Sequence, residues 1–158
     1  KVACLAQLVN VIAPIMTRNG GGAWAQTIFY PLMHASRFGR GTALKPVITS
    51  PVYDCQDYEN VPLVDAVGVL GEDGGVTIFA LNRDLKEDIT LECDLRAFGE
   101  LKPVEHIVLH HDDVKAVNTE DNPDEVKPVK GRNGKMDGGR MNVKLPALSW
   151  NVIRLAKQ

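Results

Sequence analysis

Asp88-Ile89-Thr90-Leu91-Glu92-Cys93-Asp94-Leu95 alternates without a break: Ile89, Leu91, Cys93 and Leu95 point one way, Thr90, Glu92 and Asp94 the other. Successive side chains of a strand leave on opposite faces, so this pattern describes a strand with one wet face and one buried face. Met141, Val143 and Leu145, set against Asn142 and Lys144, repeat it. Outward from these two, short strand-like runs separated by turn residues cover residues 45–50, 63–70, 76–82, 104–110 and 148–155, none with a useful length of helical periodicity. Gly71-Glu72-Asp73-Gly74-Gly75 reads as a hairpin loop in which glycine supplies positive φ. About seven strands of this kind predict a mainly β fold, an antiparallel β-sandwich over residues 41–158. Residues 112–139 are polar and contain Pro123 and Pro128, and a mobile or only partly ordered loop is expected there.

Residues 1–40 follow a different grammar. Residues 2–9 are apolar on both alternating faces, as in a strand covered on both sides within an α/β fold. After Pro14 come Asn19-Gly20-Gly21-Gly22, then Trp24, then a helix of about three turns with Ile28, Leu32 and Ala35 on one face. Pro31 is tolerable only in the first turn of that helix, and Gly39 is placed to cap its end. Strand, loop and helix make one βα unit, and a chain that starts straight in its strand reads as cut from a longer polypeptide. Without barrel neighbours, such a strand is expected to leave an apolar edge exposed.

At 158 residues the chain suits one ordinary domain with a small appendage. Its 44% hydrophobic and 24% charged residues place it with folded globular proteins rather than disordered or membrane chains. A formal charge of -2 provides no basic field for phosphate contacts, so nucleic acid is not an expected partner. The longest apolar stretch, residues 2–16, is interrupted by Gln7, Asn10 and Pro14 and falls short of the roughly 20 residues of a membrane helix. Cys4, Cys55 and Cys93 cannot all pair within the chain and fit no zinc or redox spacing, which favours a reducing, cytoplasmic compartment.

Few residues suggest chemistry. Glu105-His106 and His110-His111-Asp112-Asp113 gather imidazoles and carboxylates in one segment. His106 and His110 share a strand face but stand about 13 Å apart along it, too far for one ion, so they read as histidines of a solvated strand edge and no metal is expected. Gly20-Gly21-Gly22 lacks the Lys-Ser/Thr of a phosphate cradle, and Glu120-Asp121 with Asp124-Glu125 lacks the spacing of a calcium loop. No cofactor is implied. Trp150 alternates with Leu148 and Val152 and reads as a packing residue. Trp24, in a loop after a parallel-type strand, is open to two readings, packing or sugar contact. Gln7 and Asn10 are the polar residues of an apolar strand and its exit, placed either for structural hydrogen bonds or to meet sugar hydroxyls.

Residues 3–15, the Gly20–Trp24 loop, Gln26-Thr27-Ile28-Phe29-Tyr30-Pro31 and His34-Ala35-Ser36 together resemble the last barrel strand and following helix of family 51 α-L-arabinofuranosidases. Residues 76–83, 105–109 and 148–155 extend the resemblance over nearly the whole chain. It implies a retaining glycosidase that releases terminal arabinofuranosyl groups from arabinan or arabinoxylan, with two carboxylates about 5 Å apart on earlier barrel strands. On that footing residues 1–40 are a remnant of a (β/α)8 barrel and residues 41–158 a jelly-roll-like C-terminal domain that holds no catalytic residue. Gln7 matches a glutamine that reaches the arabinose ring, and Trp24 lies where sugar contact is plausible. The implied partners are arabinose-containing oligo- or polysaccharide, through the full-length parent, and further copies in a homo-oligomer. A carbohydrate-binding or assembly module of β-sandwich type is the competing reading, against which the 6% aromatic content counts.

Overall fold

The computed structural model describes residues 3–158. In chain order these form β1 (Ile15–Thr17), β2 (Ala23–Ala25), α1 (Phe29–Phe38), β3 (Thr42–Leu44), β4 (Val52–Cys55), β5 (Tyr58–Pro62), β6 (Val64–Leu70) and β7 (Val76–Asn82). Then come β8 (Ile89–Asp94), β9 (Leu101–His110), β10 (Val129–Lys130), β11 (Lys135–Asp137), β12 (Arg140–Leu145) and β13 (Ser149–Lys157). A six-stranded antiparallel sheet ordered β10-β9-β13-β7-β6-β3 packs against a three-stranded one ordered β11-β12-β8. The β1–β2 and β4–β5 hairpins stand outside both.

The alternation read from the sequence produces this sandwich. On β12 Met141, Val143 and Leu145 are buried while Arg140, Asn142 and Lys144 are exposed, and Ile89, Leu91 and Cys93 of β8 pack on the same side. Facing them from the large sheet are Val64 of β6, Val76, Ile78 and Ala80 of β7, and Ile153 and Leu155 of β13. Removing side chains such as Leu145 or Ile153 from water stabilises the fold by roughly 1.5–3 kcal/mol each. The expected hairpin joins β6 to β7 through Gly71 N–H to Gly75 C=O (2.9 Å), with Gly74 at φ 77°.

Near one end of the buried layer the large sheet turns polar. Asn82 donates to the Glu87, Leu145 and Pro146 carbonyls, Ser149 bonds the Pro146 carbonyl, and Asn151 donates to Ser149 Oγ (2.8 Å). His106 ends the row, with Nε2 2.9 Å from Asn151 Oδ1 and Nδ1 2.8 Å from the Arg132 carbonyl. It is 1% exposed, which corrects the solvated-edge expectation. Residues 131–132 cover it, and protein oxygens replace the water that both ring nitrogens would need.

The other face of the large sheet carries α1. Phe79 and Trp150 stack at 5.7 Å, and Val69, Val152, Ile107 and Phe38 complete this second cluster. Trp150 Nε1–H donates to His34 Nδ1 (3.3 Å), and His34 is buried. Pro31 sits in the first turn of α1, and Gly39 N–H closes the helix on the Ala35 carbonyl (2.8 Å). His34 and Phe38 bear on the sheet, while Ile28, Leu32 and Ala35 face away from it and are exposed.

Three expectations need correction. Residues 3–8 form no strand; Val9 makes a single bridge to Ile15, and Gln7, Asn10 and Val11 lie at φ 58°, 62° and 60°, incompatible with an extended strand. Of the expected βα unit only the helix is present among the described residues, because this segment has no flanking strand to pair with; Val2 lies outside them. Residues 45–50 also form no strand, since Pro46 and Pro51 interrupt the N–H series a ladder requires, and the strands that follow, β4 and β5, are a hairpin the sequence did not announce. Residues 112–139 are not a bare loop between strands: Asn118 and Val126 are buried within them, and β10 and β11 add to the two sheet edges.

Candidate functional site

The segment with the strongest site expectations, residues 7–26, is organised by an asparagine from far along the chain. Asn118 is 1% exposed and spends its amide completely: Nδ2–H donates to the Ala25 carbonyl (2.9 Å) and the Val126 carbonyl (3.0 Å), and Oδ1 accepts from Val126 N–H (2.7 Å). Its own carbonyl accepts from Trp24 Nε1–H (3.1 Å) and Gln26 Nε2–H (3.2 Å). Beside it Glu120 pairs with Arg18 at 2.8 Å and accepts from Gly22 N–H at 3.4 Å. The β1–β2 hairpin is therefore clamped to residues 118–126 by one buried amide and one ion pair.

Trp24 is half-buried on β2 opposite Met16, with its N–H committed to the clamp. Gln7 is exposed on the left-handed stretch described above, and no hydrogen bond among the described residues joins it to Trp24. Asn10 is engaged locally, accepting from Thr17 N–H through Oδ1 (2.7 Å) and donating to Thr17 Oγ1 (2.9 Å). A lone Asn in a polar loop carries no periodic signal, so only the burial of Asn118 reveals it.

The acids and histidines do not assemble a reaction centre. The carboxyls whose titration is displaced are all pulled down: Asp84 by the Glu87 and Lys86 N–H groups, Asp88 by Lys144, and Asp94 by Arg96 to about 2. A glycosidase general acid needs displacement in the opposite sense. His110 meets the fully exposed Asp112 and His111 meets Glu125, each at 3.2 Å. No group of three metal-ligating side chains occurs among the described residues, and no helix there is long and apolar enough to cross a membrane.

Comparison with known proteins gives a consistent result. Residues 1–149 match the family described as the α-L-arabinofuranosidase C-terminal domain. Over 159 aligned residues, 100% of this chain, the sequence is 53% identical to an intracellular exo-α-(1→5)-L-arabinofuranosidase of Halalkalibacterium halodurans. It is 51% identical, again over 100% of the chain, to intracellular exo-α-(1→5)-L-arabinofuranosidase 1 of Bacillus subtilis. The chain spans about a third, 31%, of the length of each of these relatives. Among solved structures, a family 51 α-L-arabinofuranosidase from Bifidobacterium longum superposes with a TM-score of 0.86 at 39% identity, over 94% of this chain and 29% of that one.

Proposed function

Because this chain belongs to the α-L-arabinofuranosidase C-terminal domain family, we propose that it is the non-catalytic C-terminal part of a retaining α-L-arabinofuranosidase that acts in the cytoplasm as a homo-oligomer. The parent releases terminal arabinofuranosyl groups from arabinan or arabinoxylan fragments. The observation that carries this reading is 53% identity along the entire chain to an arabinofuranosidase of which the chain spans 31%.

Two features of the chain support the division of labour. Retaining hydrolysis needs a carboxylic acid held neutral about 5 Å from a carboxylate nucleophile, and the displaced carboxyls here are held ionised instead. Leu8, Val11 and Ile12 are 71%, 78% and 64% exposed, and Leu32 on the outward side of α1 is 41% exposed, apolar surface suited to burial against a preceding domain. Residues 1–40 then belong to the barrel side, where 3–9 gain the strand neighbours they lack here, and residues 41–158 are the accessory domain. Gln7 is the group proposed to reach the sugar. Trp24, its N–H already engaged, offers only its ring.

The test is hydrolysis of an aryl α-L-arabinofuranoside by the 158-residue chain and by a polypeptide extended upstream through a complete barrel. The extended protein is expected to turn over and the chain alone to match buffer. Turnover by the chain alone would overturn the assignment.

A further inference from the structure

Gln7 and Trp24, the two residues proposed to meet the sugar, stand on one hydrogen-bonded unit. Three residues after Gln7, Asn10 N–H donates to the Ile15 carbonyl (2.8 Å) and the Asn10 side chain holds Thr17, so the stretch that carries Gln7 is tied to β1. β1 pairs in turn with β2, Met16 opposite Trp24, and Gln26 N–H donates to the Pro14 carbonyl (2.8 Å). Asn118 takes hold at β2 and the residue after it, through the Ala25 carbonyl and the side chains of Trp24 and Gln26.

The loop between β1 and β2 is held separately, by Glu120 through Arg18 and the Gly22 N–H. Gly21 gives that carboxylate room, since a methyl group there would stand 2.6 Å from Glu120 Oε1. Both anchors belong to the accessory side of the chain. Asn118 bonds Val126 at its N–H and at its carbonyl, Val126 is buried, and the segment runs on into β10, which pairs with β9 at the edge of the large sheet. Because one planar amide spans β2 and residue 126, the hairpin cannot slide along this segment without breaking bonds at buried atoms.

We propose that Asn118 is a positioning residue for the sugar site of the parent: from the non-catalytic part of the chain it sets where Gln7 stands and how the Trp24 ring is turned. The inference rests on the reading above that Gln7 reaches the sugar. Asn118 and Gln7 share no hydrogen bond among the described residues, so an effect of one on the other travels through β2, β1 and Asn10. Its size can be large, because a displacement of about 1 Å made far from the chemistry can lower a rate up to about a hundredfold.

A double-mutant cycle in the polypeptide extended upstream through a complete barrel tests it, read as kcat/KM on an aryl α-L-arabinofuranoside. Gln7→Ala and Asn118→Ala are each expected to lower kcat/KM about tenfold, and the protein carrying both to fall no more than about threefold below Gln7→Ala alone, because Asn118 acts through Gln7. A merely structural role would lower the folded fraction alike in both backgrounds, so rates are normalised to folded protein by circular dichroism. Where Asn118→Ala fails to fold, Glu120→Ala, on a partly exposed side chain, carries the cycle with a loss of about threefold that vanishes beside Gln7→Ala. Glu120→Gln keeps an acceptor for Gly22 N–H and is expected to stay within about twofold of the wild type. Losses that multiply, or an anchor variant with the full wild-type rate, overturn the positioning role while leaving Gln7 as the sugar contact. A Gln7→Ala protein as active as the wild type sinks that contact and this inference with it, and neither outcome touches the assignment of hydrolysis to the parent.

Discussion

Replacing Asn118 by Ala would dismantle the clamp between residues 118–126 and the β1–β2 hairpin while leaving the sandwich intact. The side chain makes three hydrogen bonds of 2.7–3.0 Å at 1% exposure. Each is worth roughly 0.5–1.5 kcal/mol net, and Ala leaves Val126 N–H and two carbonyls without their partner, so a loss of about 3 kcal/mol is expected. The substitution also frees the Asn118 backbone to move, weakening its bonds to Trp24 and Gln26. Urea unfolding followed by tryptophan emission reads the stability, and limited proteolysis reads the segment, where cleavage within 112–139 should accelerate. Asn122→Ala, on the exposed part of the same loop, is the control and should stay within about 0.5 kcal/mol. An Asn118→Ala chain as stable and as protease-resistant as that control would refute the clamp.

Leu145→Ala removes a fully buried side chain from between the sheets and should cost about 2–5 kcal/mol in chemical denaturation, with the unfolding slope unchanged. The His34 imidazole titrates below its ordinary value, burial being the main cause; the unfolded chain therefore binds the additional proton first, and stability should be full above about pH 6.5 and fall as the pH is lowered beneath it. Thermal unfolding from pH 7.5 to 5 should show a component of that slope disappear in His34→Gln, and an unaltered slope would refute it. Burial pushes the Cys93 thiol up to about 11, so alkylation at pH 8 should label the exposed Cys4 and Cys55 well before Cys93; mass spectrometry after peptide digestion decides.

How far the sequence foretold this molecule depends on how local each signal was. Residues 140–145 coincide with β12, because a period of two over six residues needs no outside information, and residues 76–82, an apolar run bounded by turn residues, coincide with β7. Pro31 and Gly39 likewise located the helix. Its packing face was not legible: Ile28, Leu32 and Ala35 form the more apolar side, yet His34 and Phe38 lie on the sheet. Hydrophobic periodicity reports that a face will be buried, not against which neighbour, and here the neighbour that meets the sheet tolerates a histidine because Trp150 donates to it. Residues 3–9 failed for a related reason, as strand composition becomes a strand only beside another strand. The burial of His106 and Asn118 was not legible because burial of a polar side chain depends on partners brought from 45 and 93 residues away.

The polar row at one end of the buried layer settles how the central strand threads the sheet. Apolar alternation alone forbids β13 from shifting by one residue, since that would turn its inner side chains outward, but is nearly indifferent to a shift by two. A two-residue displacement would slide Asn151 about 7 Å along the sheet from where it meets His106 and drag Ser149 off the Pro146 carbonyl. It would set Asn151 against Ile78 or Asn82 in place of Ala80. The buried asparagines thus act as a keyed lock, excluding misthreaded versions of the sandwich that greasy side chains by themselves would accept.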